Sequence, residues 1–284
     1  MTNTKNHITL QPAYVLHGKP YRDTSMLIEI FTPEYGRVGL VARGVRSAKS
    51  RTRSLLQPFR SILMSWNSKG DLGTLIGVEA NAEEAGTYLT GRALMSGFYL
   101  NELLLRLLHR HDPHPALFNS YDLALRKLVE VVPAEPFALP CAHAVHECTR
   151  GRRPETTSTW TSYPAQHDVS LQQALRIFEK ELLQDIGYGL VLDHDIITSQ
   201  SIAAEGMYRY HLQKGPERIA PVSIINTLGI VMHGHSLLGL ARNELHDAIN
   251  LHEAKQLLRK ALAVHLGQQP LRSRELYSEM LAGS

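Results

Sequence analysis

YVLHGKPYRDTSMLIEIFTPEYGRVGLVARGVRSAKSRTRSLLQPF, from Tyr14 to Phe59, joins strand-like alternation to a concentration of positive charge. Within it Val38, Leu40 and Ala42 alternate with Arg37, Gly39, Val41 and Arg43, the two-residue period of a strand. From Tyr35 to Gly70 there are eight basic residues, Arg37, Arg43, Arg46, Lys49, Arg51, Arg53, Arg60 and Lys69, and no Asp or Glu. The full 284 residues hold 30 Lys and Arg against 27 Asp and Glu, a net of +3. Outside the segment the balance is 22 basic to 27 acidic residues, a net of −5. The positive charge is local. A field of that sign suits a polyanion, whose condensed counterions are released when Lys and Arg replace them.

Working outward, five apolar-rich runs occupy the first part of the chain: Tyr14–His17, Met26–Thr32, Gly36–Arg43, Phe59–Trp66 and Asp71–Glu79. Polar, Gly or Pro breaks separate them, which predicts five short strands and a closed or partly closed barrel such as an OB-fold. Gly44–Leu55 reads as a basic, Ser-rich loop or short helix. From about Ala82 the period becomes helical, with Leu94, Phe98, Leu100, Leu103, Leu104, Leu107 and Leu108 on a broad apolar arc between Leu89 and His111. A second helix is predicted over Ala116–Val131, a short helical piece over Cys141–Thr149 and a polar surface loop over Gly151–Asp168. Ser170 with Gln173 has capping-box spacing and opens a helix that ends at Gly187-Tyr-Gly189. Strands at Met207–Leu212 and Arg218–Ile225 and helices at Leu245–Leu266 and Ser273–Leu281 complete an α+β chain. The organisation expected is a barrel over 1–81, a helical bundle over 82–192 and a mixed α/β region over 193–284 packed on the helices.

Composition narrows the function classes. Hydrophobic content of 43% and charged content of 20% are those of an ordinary globular chain. No membrane-spanning run and no secretory leader are read, and two cysteines do not make a disulfide scaffold, so the expected location is the cytoplasm. No Walker loop, GxGxxG element, nucleophile–base pair or hydrolytic carboxylate pair is found, so no enzyme and no cofactor are expected.

The Tyr14–Phe59 stretch resembles the N-terminal pattern of the RecO family of bacterial recombination mediators: a polar turn before an apolar strand, then GRV-x-LVA-x-G-x-R and LQPF. Supporting patches are Tyr99-Leu-Asn-Glu-Leu-Leu104, LLQDIGYG at the end of the third long helix, and PLRSRELY from Pro270. The resemblance implies an N-terminal OB-fold, a central helical bundle and a C-terminal region on the helices. It also implies binding of single- and double-stranded DNA, strand annealing, and partnership with RecR, with single-strand binding protein and functionally with RecA at the nucleoid. Many family members follow the GY helix with a structural zinc module. Here Asp195 and Thr198 stand where its first Cys pair would be, and no later cysteine exists, so the chain resembles the zinc-free branch. The stretch Glu135–Asp168 is longer than a minimal member needs.

Surface Lys and Arg are commonly solvated without function, but eight bases with no offsetting acid favour phosphate contact. Arg43, Arg46, Lys49, Arg51 and Arg53 are the first candidates, in or beside the loop, with Arg37 and Arg60 as strand residues bordering a groove. For base stacking, Tyr14, Tyr21, Phe31, Tyr35, Phe59 and Trp66 lie in the barrel region. The default for each is core, with Tyr35 and Trp66 the two whose turn and strand-end positions allow exposure. By resemblance, Arg176 beside Phe178 is the candidate for holding the acidic, apolar tail of single-strand binding protein, against the plain reading of an exposed helix arginine. Cys141-Ala-His-Ala-Val-His-Glu-Cys148 has zinc-type residues, but on a helix His143 leaves the face shared by the cysteines, so packing is the better reading. The rival to DNA binding is an adaptor whose barrel takes an acidic protein partner.

Overall fold

The computed structural model describes residues 6–68, 70–81, 88–130, 165–220 and 229–282. Five strands, β1 (Asn6–Tyr21), β2 (Ser25–Thr32), β3 (Gly36–Ala42), β4 (Ile62–Ser68) and β5 (Leu72–Ala80), form a closed barrel of order β1-β2-β3-β5-β4. Strand β1 pairs with both β2 and β4, and the short β3–β5 ladder is the one parallel pairing of the barrel. The fold is OB-like. Strand β1 spans 16 residues, far beyond Tyr14–His17. Register shifts between Ile8 and Gln11 and between Val15 and His17 bend it, so that its first half pairs with β4 and its second with β2. Its polar end, Gly18–Tyr21, is held by ladder bonds rather than by apolar burial, which is why composition hid it.

The barrel interior is filled from alternate positions: Ala13 and Val15, Ile28 and Ile30, Val38 and Leu40, Ile62, Met64 and Trp66. Tyr14, Leu16 and Phe31 belong instead to the helical core, so β1 is covered on both faces around Tyr14–Leu16. The helices are α1 (Gly91–Leu107), α2 (Pro115–Glu130), α3 (Ala165–Asp185), α4 (Gly234–Arg242), α5 (Ala248–Leu266) and α6 (Arg272–Ala282). A second sheet, order β7-β6-β8, is made by β6 (Met207–His211), β7 (Gly215–Ile219) and β8 (Ile230–His233). Its Tyr208, Tyr210, Ile230 and Met232 extend the helical core.

Several expectations are corrected. Helix α3 begins at Ala165, so Ser170 is interior to it, and Gln173 donates to the Asn243 carbonyl instead of closing a capping box. Its end does follow the glycine reading. Gly187 has φ +85° and the Tyr188 N–H reaches the Leu183 carbonyl at 2.8 Å, the Schellman arrangement. His233-Gly-His235 forms the junction of β8 and α4, where the His233 N–H and Nδ1 lie 2.9 and 2.6 Å from the Glu253 carboxylate. The Cys141, His143, His146 and Cys148 cluster lies outside the described residues, as does 221–225 of the expected strand.

At the zinc-module position the residues present do not fit a metal. Asp195 is 3% exposed, and its Oδ1 accepts from the N–H groups of Ile197 and Thr198 and from the Thr198 hydroxyl at 2.7–3.0 Å. Its Oδ2 accepts from the Arg218 N–H at 2.6 Å, tying the 195–198 turn to β7. Both oxygens are occupied by donors, no thiolate is present, and the neighbouring His194 is bound to Asp193 at 2.7 Å, so no ligand set forms at this turn among the described residues. Burial alone would raise the Asp195 carboxyl, but the hydrogen bonds from Thr198, Arg218 and Ile197 outweigh it and hold its pKa below the ordinary value.

Two outcomes follow from this packing. Gly36 opens β3 at φ +60°, and a Cβ there would overlap the Asp112 carbonyl oxygen. Gly36→Ala is therefore expected to lower the melting temperature by several degrees through loss of the barrel–helix contact. A melting curve superimposable on wild type would refute that. Asp195→Ala leaves four donors, three backbone N–H groups and the Thr198 hydroxyl, without their acceptor, at a cost of about 1–3 kcal/mol. Because the folded pKa is depressed, the contribution of Asp195 is fully present above the unfolded value of about 4 and is lost as pH falls below it. The wild-type and Asp195→Ala stabilities, measured by urea unfolding, should converge on acidification.

Candidate nucleic-acid interface

The loop from Arg43 to Ser61 joins β3 to β4 and is built from turns rather than a helix, with Ser47 N–H to Gly44 O, Ser50 N–H to Ser47 O and Leu55 N–H to Thr52 O. Three apolar residues pin it. Val45 and Leu56 enter the barrel core, and Phe59 enters the helical core, its ring 5.1 Å from that of Phe98. Arg43, just before the first anchor, and Arg46, Lys49, Arg51 and Arg53 between the anchors are all exposed. None of the five has an ion pair among the described residues. Arg46 donates to the Arg22 carbonyl at 3.2 Å, and its own N–H reaches the Thr24 carbonyl at 2.8 Å. The loop is thereby fastened to the β1–β2 hairpin, and the two basic segments become one surface. Arg60 is half-buried and donates to the Ser54 carbonyl at 3.0 Å, bracing the loop from behind.

Arg37 is placed differently. Its guanidinium donates to the Leu105 carbonyl on α1 and lies 3.7 Å from Glu29, with 17% of its side chain exposed. Glu29 also binds Arg110, and the His111 N–H reaches the Arg37 carbonyl at 3.0 Å. Arg37 is a barrel–helix fastener, not a groove residue. Sequence alternation could not reveal this, because its partners lie on strand β2 and on α1 and the segment after it.

Of the aromatics, Trp66 is 1% exposed and sits inside the barrel, with Tyr35 half-buried at its edge, ring centroids 5.3 Å apart. Tyr14, Phe31 and Phe59 are core. Tyr21 is 38% exposed at the end of β1, and the Arg22 guanidinium lies 5.3 Å from its ring centroid.

A second basic surface lies on the helices. A groove of about 560 Å³ is walled by Met95, Leu171 and Leu175 and rimmed by Arg92, Lys255, Arg259 and Arg274. Arg176 lines it but is 7% exposed and bound at 2.8 Å to Glu179, which also accepts from the Tyr99 hydroxyl at 2.6 Å. Burial and then the Glu179 charge push the Tyr99 phenol well above its ordinary value. Arg92 is paired with Asp168 at 3.4 Å, and Arg274 lies over the Tyr99 ring. Lys255 and Arg259 are the exposed rim cations with no ion pair among the described residues. Phe178, at 1% exposed, packs on Tyr121 in the core and does not line the groove. The signal for Lys255 and Arg259 was their spacing of four on one face of α5.

Among the described residues no group of three or more His, Cys, Asp or Glu is placed to hold a metal, and no helix is long and apolar enough to cross a membrane. Comparison with known proteins gives a consistent result. Residues 7–82 match the family model of the recombination protein O N terminal, and residues 89–140 and 164–275 match that of its C terminal. The chain is similar to the DNA repair protein RecO of Nitrosococcus oceani, 45% identical over 275 residues, covering 96% of this chain and 94% of the relative. It is 38% identical over 275 residues to that of Alkalilimnicola ehrlichii, covering 97% and 93%, and 36% identical over 269 residues to that of Coxiella burnetii, covering 95% and 97%. With both halves of the chain matched and the relatives aligned over nearly their full lengths, the chain belongs to the RecO family of DNA repair proteins.

Proposed function

We propose that this chain is a recombination mediator that binds single- and double-stranded DNA through the β3–β4 loop and the β1–β2 hairpin. In this reading it brings complementary strands together and helps RecA load onto DNA coated by single-strand binding protein, acting at the nucleoid with RecR as a further partner. The observation that carries it is the set of five exposed cations from Arg43 to Arg53, none with an ion pair among the described residues, on a loop pinned by Val45 and Leu56. Such cations neutralise phosphate without reading bases, which lowers the repulsion between two strands held on one surface. The reading contains no chemical step.

The helical groove supports the partner half of the reading. Apolar walls and unpaired cations suit an acidic peptide that ends in apolar residues and a free carboxylate, the kind of tail expected of single-strand binding protein. Lys255 and Arg259 take the role first given to Arg176, whose charge is already spent on Glu179.

The charge-reversal triple Arg43→Glu, Arg46→Glu, Arg51→Glu should weaken binding to every DNA sequence and flatten the log–log salt slope by about 3, one for each lost phosphate contact. Fluorescence anisotropy across a salt titration reads both quantities. Unchanged affinity would remove DNA from this surface and favour the adaptor that binds an acidic protein. For the groove, Lys255→Glu with Arg259→Glu should abolish binding of an acidic, apolar-ended peptide while leaving oligonucleotide affinity intact. Arg176→Ala should instead destabilise the fold by about 3 kcal/mol, because it strands Glu179 as a buried charge. Full peptide binding by the double variant in isothermal titration would displace the groove from this role.

A further inference from the structure

The basic loop accounts for attraction to phosphate, but phosphate attraction does not tell a single strand from a duplex. Tyr21 supplies what the cations lack. It closes the β1–β2 ladder opposite Ser25, and the hairpin loop that follows is Arg22, Asp23 and Thr24. Gly18, Ile28 and Leu40 form a rung in which Ile28 and Leu40 fill the barrel interior. The next rung, Lys19, Leu27 and Val41, therefore faces outward, and Tyr21 falls on that same outward side two residues further along β1. Leu27 and Val41 are half-buried, Lys19 is exposed, and Tyr21 is 38% exposed. A short apolar strip, Leu27 and Val41, thus shares the outward β1–β2–β3 face with the Tyr21 ring.

One cation lies on that ring, and two more share its end of the barrel. The Arg22 guanidinium lies over it at 5.3 Å, Arg46 is bonded to the Arg22 carbonyl, and Arg43 follows the strand end at Ala42. Arg22 is held at φ +53°, a left-handed conformation that a long side chain rarely adopts, and the Arg46 bonds to the hairpin fix it there. Asp23 is the single acid of the tip. An exposed ring beside an apolar strip, with cations at the same end of the barrel, matches the two requirements of single-strand binding: a track for the backbone and a platform for bases. A duplex cannot use the platform, because its bases are already stacked inside the helix.

We propose that Tyr21 is the base-stacking residue of this barrel, taking an unpaired base on its ring over the Leu27–Val41 strip while Arg22, Arg43 and Arg46 hold the adjoining phosphates. The proposal rests on the reading of the basic loop as the DNA surface. It makes Tyr21 the residue that confers preference for single strands.

The test compares a labelled oligothymidine with a labelled duplex of equal length on the full chain. Tyr21→Ala should weaken oligothymidine binding about tenfold, leave duplex affinity unchanged and leave the salt slope of both unchanged. Tyr21→Phe should restore single-strand affinity, since stacking needs the ring and not the hydroxyl. In Tyr21→Trp, oligothymidine should quench the added indole emission and the duplex should not. Unaltered oligothymidine affinity in Tyr21→Ala, or an equal loss on both DNAs, overturns the proposal. The charge-reversal triple separates it from its foundation: if that variant keeps its affinity for the duplex, the basic surface itself is wrong and the stacking role falls with it. If the triple loses duplex binding while Tyr21→Ala loses nothing, the surface stands and the stacking role alone fails.

Discussion

The carbonyl of Leu16, midway along β1, accepts a hydrogen bond from the Asn101 side chain of α1 at 2.9 Å, and the Tyr121 hydroxyl of α2 donates to Asn101 in turn. This chain of three groups is buried and lies within an aromatic seam. Tyr14 and Phe31 of the barrel meet Phe118 and Tyr121 of α2 with ring centroids 5.1–6.1 Å apart. Leu16 sits at the register shift between Val15 and His17 within the β1–β2 ladder, so it has no partner residue of its own on β2 and its carbonyl turns to the helices. Satisfying it from a helix couples the bend of the barrel to the position of α1. Removing Asn101 would leave two buried polar groups unpaired across the seam.

That seam sorts the cations. On its inner side four long basic residues are committed to carbonyls or carboxylates: Arg37 to Leu105, Arg106 to Gln269 and Pro270, Arg110 to Glu29, and Lys180 to Leu240, Ala241 and Asn243 at the end of α4. Arg176 and Glu179 neutralise each other in the same way. On the outer side Arg46 reaches only the hairpin carbonyls, and Arg43, Lys49, Arg51 and Arg53 have no such partner among the described residues. The loop owes its exposure to Val45, Leu56 and Phe59, which draw its ends into two different cores and leave the residues between them no apolar surface to cover. Long-range fields come from the unpaired group, and rigidity from the paired one.

Much of this was legible in the sequence, and the failures have a common physical origin. Strand alternation around Val38–Ala42, the helical period from Leu94 and the acid-free run from Tyr35 to Gly70 are local signals, and the barrel, the helices and the charged loop followed from them. What local patterns cannot carry is the identity of a distant partner. Arg37 and Arg43 differ by six positions and share a strand pattern, yet one meets Leu105 and Glu29 and the other meets solvent. Tyr21 and Trp66 were misjudged for the same reason, since the bent path of β1 decides which aromatic the barrel encloses. The sequence patches that resembled the family prove to touch. Glu102, in Tyr99–Leu104, accepts from the N–H groups of Arg272 and Ser273 at the start of α6, inside PLRSRELY. Burial opposes the ionised Glu102 carboxyl, but the Ser273 and Arg272 bonds and Arg106 keep its pKa low.

Two basic surfaces on one chain, separated by a buried seam, have a consequence for how strands could be joined. A phosphate track holds both strands of a pair equally, so it raises their local concentration without favouring the paired state over the unpaired one. A tight grip on bases would go further and oppose pairing, because each base must leave its platform to enter the duplex. A mediator of annealing therefore needs many phosphate contacts and few base contacts. The described barrel has that proportion: five exposed loop cations, one exposed aromatic, and the other rings of the barrel strands turned into the cores or half-buried at their edge. The stacking lost on pairing is limited to about 1–3 kcal/mol for a single base, which a few base-pair steps recover. The groove on the helices stands outside this exchange, so an acidic partner held there need not compete with DNA for the same cations.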